Sequence, residues 1–125
     1  MPLLQFDISR SLPAEQKTAL ADHATDCYTT EMATTSGHVA VTIREREPAE
    51  MHLGRAEDGP LLFLDAEIRQ GRSFDRKRAF ALATMEYAAA ELGIPDDNMK
   101  VVFTEHPGPN MMGVDRVGDE WDADG

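Results

Sequence analysis

Cysteine is all but missing from this chain: Cys27 is the only one in 125 residues. A single thiol excludes an internal disulfide framework and a cysteine metal cluster, and points to a reducing, cytoplasmic setting. Lysine is scarce as well, limited to Lys17, Lys77 and Lys100, and the net charge is −11. A chain so short of positive charge has no basic face for nucleic acid or an anionic membrane surface. No apolar run approaches the roughly 20 residues that span a bilayer. The opening MPLLQFDIS has no basic residue ahead of its apolar ones and meets Asp7 early, which makes it a poor secretion signal. Histidines 23, 38, 52 and 106 are scattered, with no pair spaced as ligands on a helix, so no metal site is expected. Glycine-rich phosphate or dinucleotide loops are also missing.

What is present fits one compact domain, 1–125. A shift of 60 positions, the distance from Ile8 to Ile68, aligns the two halves without a gap. Leu4, Ile8, Lys17, Ala19, Ala21, Glu31, Val41 and Glu45 then meet identical residues at Leu64, Ile68, Lys77, Ala79, Ala81, Glu91, Val101 and Glu105. These identities predict an internal repeat, 2–48 and 62–108, followed by a tail over 109–125.

Each half reads as strand, helix, strand. Leu4, Phe6 and Ile8 alternate with Gln5 and Asp7, and Pro2 shares their parity, which aims it at the covered face. A helix follows from Glu15 to about Ala33, with Leu20, Ala24, Cys27 and Glu31 as its marked row. Val39, Val41 and Ile43 alternate as the returning strand. In the second half Leu61–Ile68 is a strand, Ser73 an N-cap, and Phe74, Ala81, Met85, Ala88 and Leu92 a helical stripe. Gly93 and Pro95 close that helix and Met99–Phe103 returns. Met51–Arg55 between the halves is a short strand or a loop. Strands joined through helices pair in parallel by right-handed crossovers. The fold class is therefore α/β (α+β): a β-α-β unit repeated twice, giving a four-stranded, mostly parallel-paired sheet with two helices on one face. The other face needs cover, so an oligomer is expected, with the tail from Gly108 reaching over a neighbour.

Three features could carry chemistry. Removal of Met1 is efficient before a small residue and would leave Pro2 as a secondary amine, an acid or base according to its pocket; the alternative is a Met-Pro start with no role. Arg69 and Arg72 flank Gly71 at a strand-to-helix junction, where two guanidinium groups can grip a carboxylate; the alternative is a solvated pair on an acidic surface. Glu105 beside His106 at a strand end could move protons, or simply decorate a turn. Cys27 reads as core.

Met-Pro before an apolar strand, the Gly71-Arg-Ser turn, Leu92-Gly-Ile-Pro95, and the run Val101-Val-Phe-Thr-Glu-His-Pro-Gly-Pro-Asn-Met111 together resemble the tautomerase superfamily, within it the cis-3-chloroacrylic acid dehalogenase-like group. The resemblance implies a tautomerase-type fold, assembly as a homotrimer, and no metal or organic cofactor. It implies Pro2 as acid/base, with Arg69 and Arg72 binding and polarising a small carboxylate substrate. Where the dehalogenases carry a histidine on the first helix this chain has Tyr28, a candidate donor to a substrate oxygen. Their last-strand tyrosine falls at Val102 and their water-activating glutamate at Gly113, with Asp115 nearby as a replacement. The expected function is an enol–keto tautomerase acting on a small enol, 2-oxo or unsaturated carboxylic acid. The alternatives are a cofactor-independent hydratase or dehalogenase of three-carbon unsaturated acids, and a non-catalytic binding member of the fold.

Overall fold

The computed structural model describes residues 1–122. Alternation in β1 (Leu3–Ile8) places Leu4, Phe6 and Ile8 on one side with no exposed surface. In β3 (Leu62–Arg69), Leu62, Leu64, Ala66 and Ile68 do the same. The two strands lie antiparallel at the centre of the sheet, with Phe6 opposite Leu64. β2 (Ala40–Glu45) runs parallel to β1, and β4 (Met99–His106) runs parallel to β3, so the order is β2-β1-β3-β4. Two of three pairings are parallel, and the central one is antiparallel.

Helices α1 (Ala14–Met32) and α2 (Phe74–Leu92) cover the same face of this sheet, and one apolar cluster joins both helices to all the strands. Each has 19 residues, and they begin at positions 14 and 74, the shift seen between the halves of the sequence. The pairings keep that shift: Leu4 sits beside Val41 and Leu64 beside Val101. So do the ion pairs. Lys17 bridges to Glu45 at 2.8 Å, and Lys77 to Glu105. The lysines and glutamates common to the two halves therefore tie each helix to its own outer strand.

Packing moves the buried rows from where periodicity placed them. On α1 the buried row is Leu20, Ala24, Tyr28 and Met32, while Cys27 is only half-buried, with its sulfur 3.1 Å from His23 Nε2. On α2 it is Phe80, Thr84, Ala88 and Leu92, and Phe74 is 70% exposed. Phe74 is the helix's first residue and lies in an open hollow with Val101 and Phe103 of β4 rather than under the inner row. The 51–55 segment is a turn-containing loop. The open sheet face mixes Phe63 and Val102 with Gln5, Asp7, Asp65 and Glu67, and is more polar than the expected apolar surface needing cover. Within its own chain the tail is ordered against the end of β3. Its described part turns through a small hairpin, β5 (Met112–Gly113) and β6 (Arg116–Val117), and folds back on its own chain; residues 123–125 lie outside the described residues.

Both helices end left-handed, at Ala33 (φ 52°) and Gly93 (φ 67°). Glycine adopts this conformation freely and alanine does not, at a cost of about 1–2 kcal/mol. Ala33→Gly is therefore expected to stabilise the protein by about 0.5–1 kcal/mol, part of the relief being lost to a more flexible unfolded chain. Thermal unfolding checks it as a rise of about 2–5 °C; an unchanged or lower midpoint would contradict the strain.

Candidate active site

Pro2 precedes β1, and its carbonyl accepts the Ala40 amide at 3.0 Å, extending the β1–β2 pairing to the chain's beginning. The proline ring is buried, on the parity of Leu4. Met1 projects beyond it into two adjoining clefts. The first, of about 630 Å³, is lined by Pro2, His38, Glu67, His106 and Gly113 among others. The second, of about 420 Å³, is lined by Thr34, His38, Arg69, Asp115 and Arg116 among others. Burial lowers the pKa of the Met1 amino group below its ordinary value, and the charges of Arg69 and Arg72 lower it further. The amine is thus biased toward its neutral, proton-accepting form.

The arginines stand at the turn from β3 into α2. Gly71 takes φ +118°, so the turn needs glycine for its conformation; a Cβ there would make only ordinary contact with Trp121, at 3.4–3.6 Å. Arg69 donates through Nη1 to the Asp119 carbonyl at 2.6 Å. Its Nε is buried and has no hydrogen-bond partner among the described residues. A buried guanidinium N–H without an acceptor is costly and is the natural mate of an anion. Arg72 is 6% exposed; its Nε donates to the Met32 carbonyl at 3.2 Å. Arg76, one turn further on, donates to the Glu31 carbonyl at 3.1 Å. Helix α1 has no basic residue in its own last turn, so these two arginines of the second half supply the cations that its C-terminal carbonyls favour. The Trp121 ring lies against both guanidiniums, 4.8 Å from Arg72 and 5.3 Å from Arg76.

Tyr28 is buried on the inner row of α1, edge-on to Phe80, with Arg72 5.9 Å from its ring centre. Burial raises its pKa, while Arg72 and Arg69 oppose the rise. The charges of Arg69 and Arg72 thus act on both the Met1 amino group and Tyr28, but Arg72 and Tyr28 are buried and line neither cleft. Asp115 reaches the rim of the second cleft and Gly113 the wall of the first. Val102 lies on the open sheet face, 46% exposed. Glu105 and His106 do not act together: adjacent strand residues face opposite ways, so Glu105 pairs with Lys77 over the helices while His106 Nε2 meets Glu67 Oε2 at 2.8 Å. Arg76, Trp121 and Glu67 escape a sequence reading. Arg76 had a signal in its one-turn spacing from Arg72, and Glu67 in its two-residue spacing from Arg69; Trp121 had none.

Among the described residues, no three His, Cys, Asp or Glu side chains gather as a metal site would require, and no helix is long and apolar enough to cross a membrane.

No family model matches the sequence, and no curated protein matches it. Solved structures do match in shape. N1, a member of the cis-3-chloroacrylic acid dehalogenase family, is 23% identical, with a TM-score of 0.83 over 94% of this chain and 84% of that one. Malonate semialdehyde decarboxylase, solved also as a variant with its first residue changed from proline to alanine, is 22% identical, with a TM-score of 0.77 over 91% of this chain and 92% of that one. A fused 4-OT solved as a symmetric trimer is 22% identical, with a TM-score of 0.79 over 94% of each chain. Identities this low establish the architecture and not the chemistry: this chain has the twice-repeated β-α-β fold, with its four-stranded mixed sheet, that those structures share.

Proposed function

We propose that this protein is a tautomerase-like enzyme that uses the secondary amine of Pro2, freed by loss of Met1, to move a proton on a small enol, 2-oxo or unsaturated carboxylic acid. The observation that carries the reading is the placement of Pro2, buried at the head of β1, in a cleft that shares Met1 with the neighbouring cleft of Arg69; the Met1 amino group there is already pushed toward its neutral form by burial and by the charges of Arg69 and Arg72. Arg69 offers a buried Nε with no partner, which an acid's carboxylate would satisfy. Anchored there, the acid places its α-carbon and enol oxygen toward the amine. The guanidiniums stabilise the negative charge that grows on the oxygen as its proton leaves, and Tyr28 donates to that oxygen. Loss of Met1 suits this arrangement sterically, because Met1 lines both clefts and its removal frees space in each. The P1-to-alanine variant made of malonate semialdehyde decarboxylase and the trimer formed by fused 4-OT support an N-terminal proline role and a homotrimer here. The reaction needs no cofactor, and the lone thiol suits a cytoplasmic location.

A hydratase or dehalogenase would need a base for water. Gly113 offers none, and Asp115, at the rim of the other cleft, is 74% exposed. The test is intact mass followed by two assays. The expected outcome is a mass lacking Met1, ketonisation of phenylenolpyruvate, and little halide release from cis-3-chloroacrylate. A retained Met1, or halide release faster than ketonisation, would reject the reading.

A further inference from the structure

The repeat gives a way to find residues that have left a structural role. Asp7 on β1 is bridged by Arg46 at 3.1 Å and by Arg44 at 3.0 Å. Shifted by the repeat, Asp7 becomes Glu67 and Arg46 becomes His106, and these two are again bonded, at 2.8 Å. The pairs lie at opposite ends of the sheet, since β1 and β3 are antiparallel and Glu67 stands beside Leu3. Asp7 and Arg46 border a surface hollow of about 280 Å³ with Glu50 and Phe63. Glu67 and His106 line the cleft that holds Met1 and Pro2. At the end remote from the amine the pair is thus a carboxylate with a permanent cation. At the amine's end the guanidinium is replaced by a ring that can gain and lose a proton.

We propose that His106, positioned by Glu67, is a second proton-transfer group of this cleft and works opposite Pro2. The inference rests on the enol-acid reading above. Nε2 of His106 donates to the Glu67 carboxylate, which leaves Nδ1 as the nitrogen that exchanges protons with substrate. In ketonisation the neutral Pro2 amine takes the enol O–H proton, and the O–H electron pair becomes the C=O π bond. The C=C π pair forms a new C–H bond with the proton from Nδ1 of the imidazolium. The ring is left neutral, still donating from Nε2, and the prolyl ammonium returns its proton to Nδ1 through water. No oxidant or further reactant enters. The charged groups facing the ring are Glu67 and Arg69 on β3, the chain's amino group before β1, His38 before β2, and Arg116 on β6. His106 is the one that touches substrate; Glu67 is a positioning residue.

Ketonisation of phenylenolpyruvate by the full chain tests this. His106→Gln is expected to lower kcat by about 10²-fold, with KM nearly unchanged, and to remove one limb of the pH–kcat profile. Glu67→Gln is expected to lower kcat less and to shift that limb. In the unaltered protein, 15N NMR of the His106 ring is expected to show the neutral form protonated at Nε2. A neutral ring protonated at Nδ1 overturns the relay, independently of any variant's folding. If Pro2→Leu silences the enzyme while His106→Gln keeps kcat and both limbs, the relay fails and the amine reading stands. If the parent does not ketonise at all, the amine reading falls and takes the relay with it.

Discussion

Changing Pro2 to leucine is expected to abolish ketonisation, lowering kcat by at least about 10²-fold, within the range lost when a positioned acid or base is removed. Leucine at the second position is too large for efficient methionine removal, so Met1 stays. The amino group then sits one residue further out and belongs to a primary amine on an unconstrained chain. Leucine is also what the second half of the repeat carries at the matching place, Leu62, which is fully buried. The fold is therefore expected to survive: the Pro2 carbonyl bond to Ala40 is a backbone bond that any residue can make. Intact mass, circular dichroism and the assay together check the result. A folded protein with Met1 retained and undiminished kcat would show that the amine has no part in the chemistry.

The repeat explains how much of this molecule was legible in its sequence. Strands and helices were readable because the same spacing of apolar residues occurs twice, and Lys17–Glu45 and Lys77–Glu105 recur because each helix must be tied to its strand. Burial was less legible. On α1, Tyr28 takes the inner row in place of Cys27, a rotation of one residue that periodicity in a helix rich in alanine and threonine does not resolve. The partners of the candidate residues could not be read at all. That Arg72 and Arg76 hold the end of α1, and that Trp121 covers them, depends on a return of the chain across about 50 positions. Glu67–His106 likewise joins residues far apart in sequence by a cross-strand neighbourhood. What the sequence does carry, once the shift is known, is where the halves disagree: Pro2 against Leu62, Ser9 against Arg69, Leu12 against Arg72, Arg46 against His106. All the second-half members except Leu62, together with Pro2, lie at the end of the sheet where the amine is. The matching residues elsewhere do structural work: Leu12 is in the core, and Ser9 accepts the Leu61 amide at 2.8 Å.

Arg72→Leu makes the same comparison on the substrate side, placing in the second half what Leu12 is in the first. Arg72 and Leu12 are equally buried, each 6% exposed. Stability is expected to change little. The arginine carries a desolvation penalty of several kcal/mol and is repelled by Arg69 and Arg76, and both effects lower its pKa. Against these stand one hydrogen bond to Met32, about 0.5–1.5 kcal/mol, and contact with the rings of Trp121 and Tyr28, about 0.5–2 kcal/mol. Leucine gains about 1.5–3 kcal/mol by burial, which offsets the lost contacts, so the midpoint of unfolding should move by no more than a few degrees. Activity should not survive the exchange. Removing one preorganised donor to a developing oxyanion costs about 10²–10³ in kcat, and kcat/KM falls further as the carboxylate loses half its anchor. The pH dependence moves in a defined direction. Arg72 helps to lower the pKa of the Met1 amino group, and the Pro2 amine that replaces it at the same end of β1 is expected to respond in the same direction, so loss of Arg72 raises its pKa. A base must be unprotonated to act, so the acid limb of any residual activity shifts to higher pH. A variant that keeps its melting temperature, loses turnover and shifts its acid limb upward would separate the chemical role of Arg72 from its hold on α1. A variant that unfolds while its remaining folded fraction turns over normally would assign Arg72 to the scaffold alone.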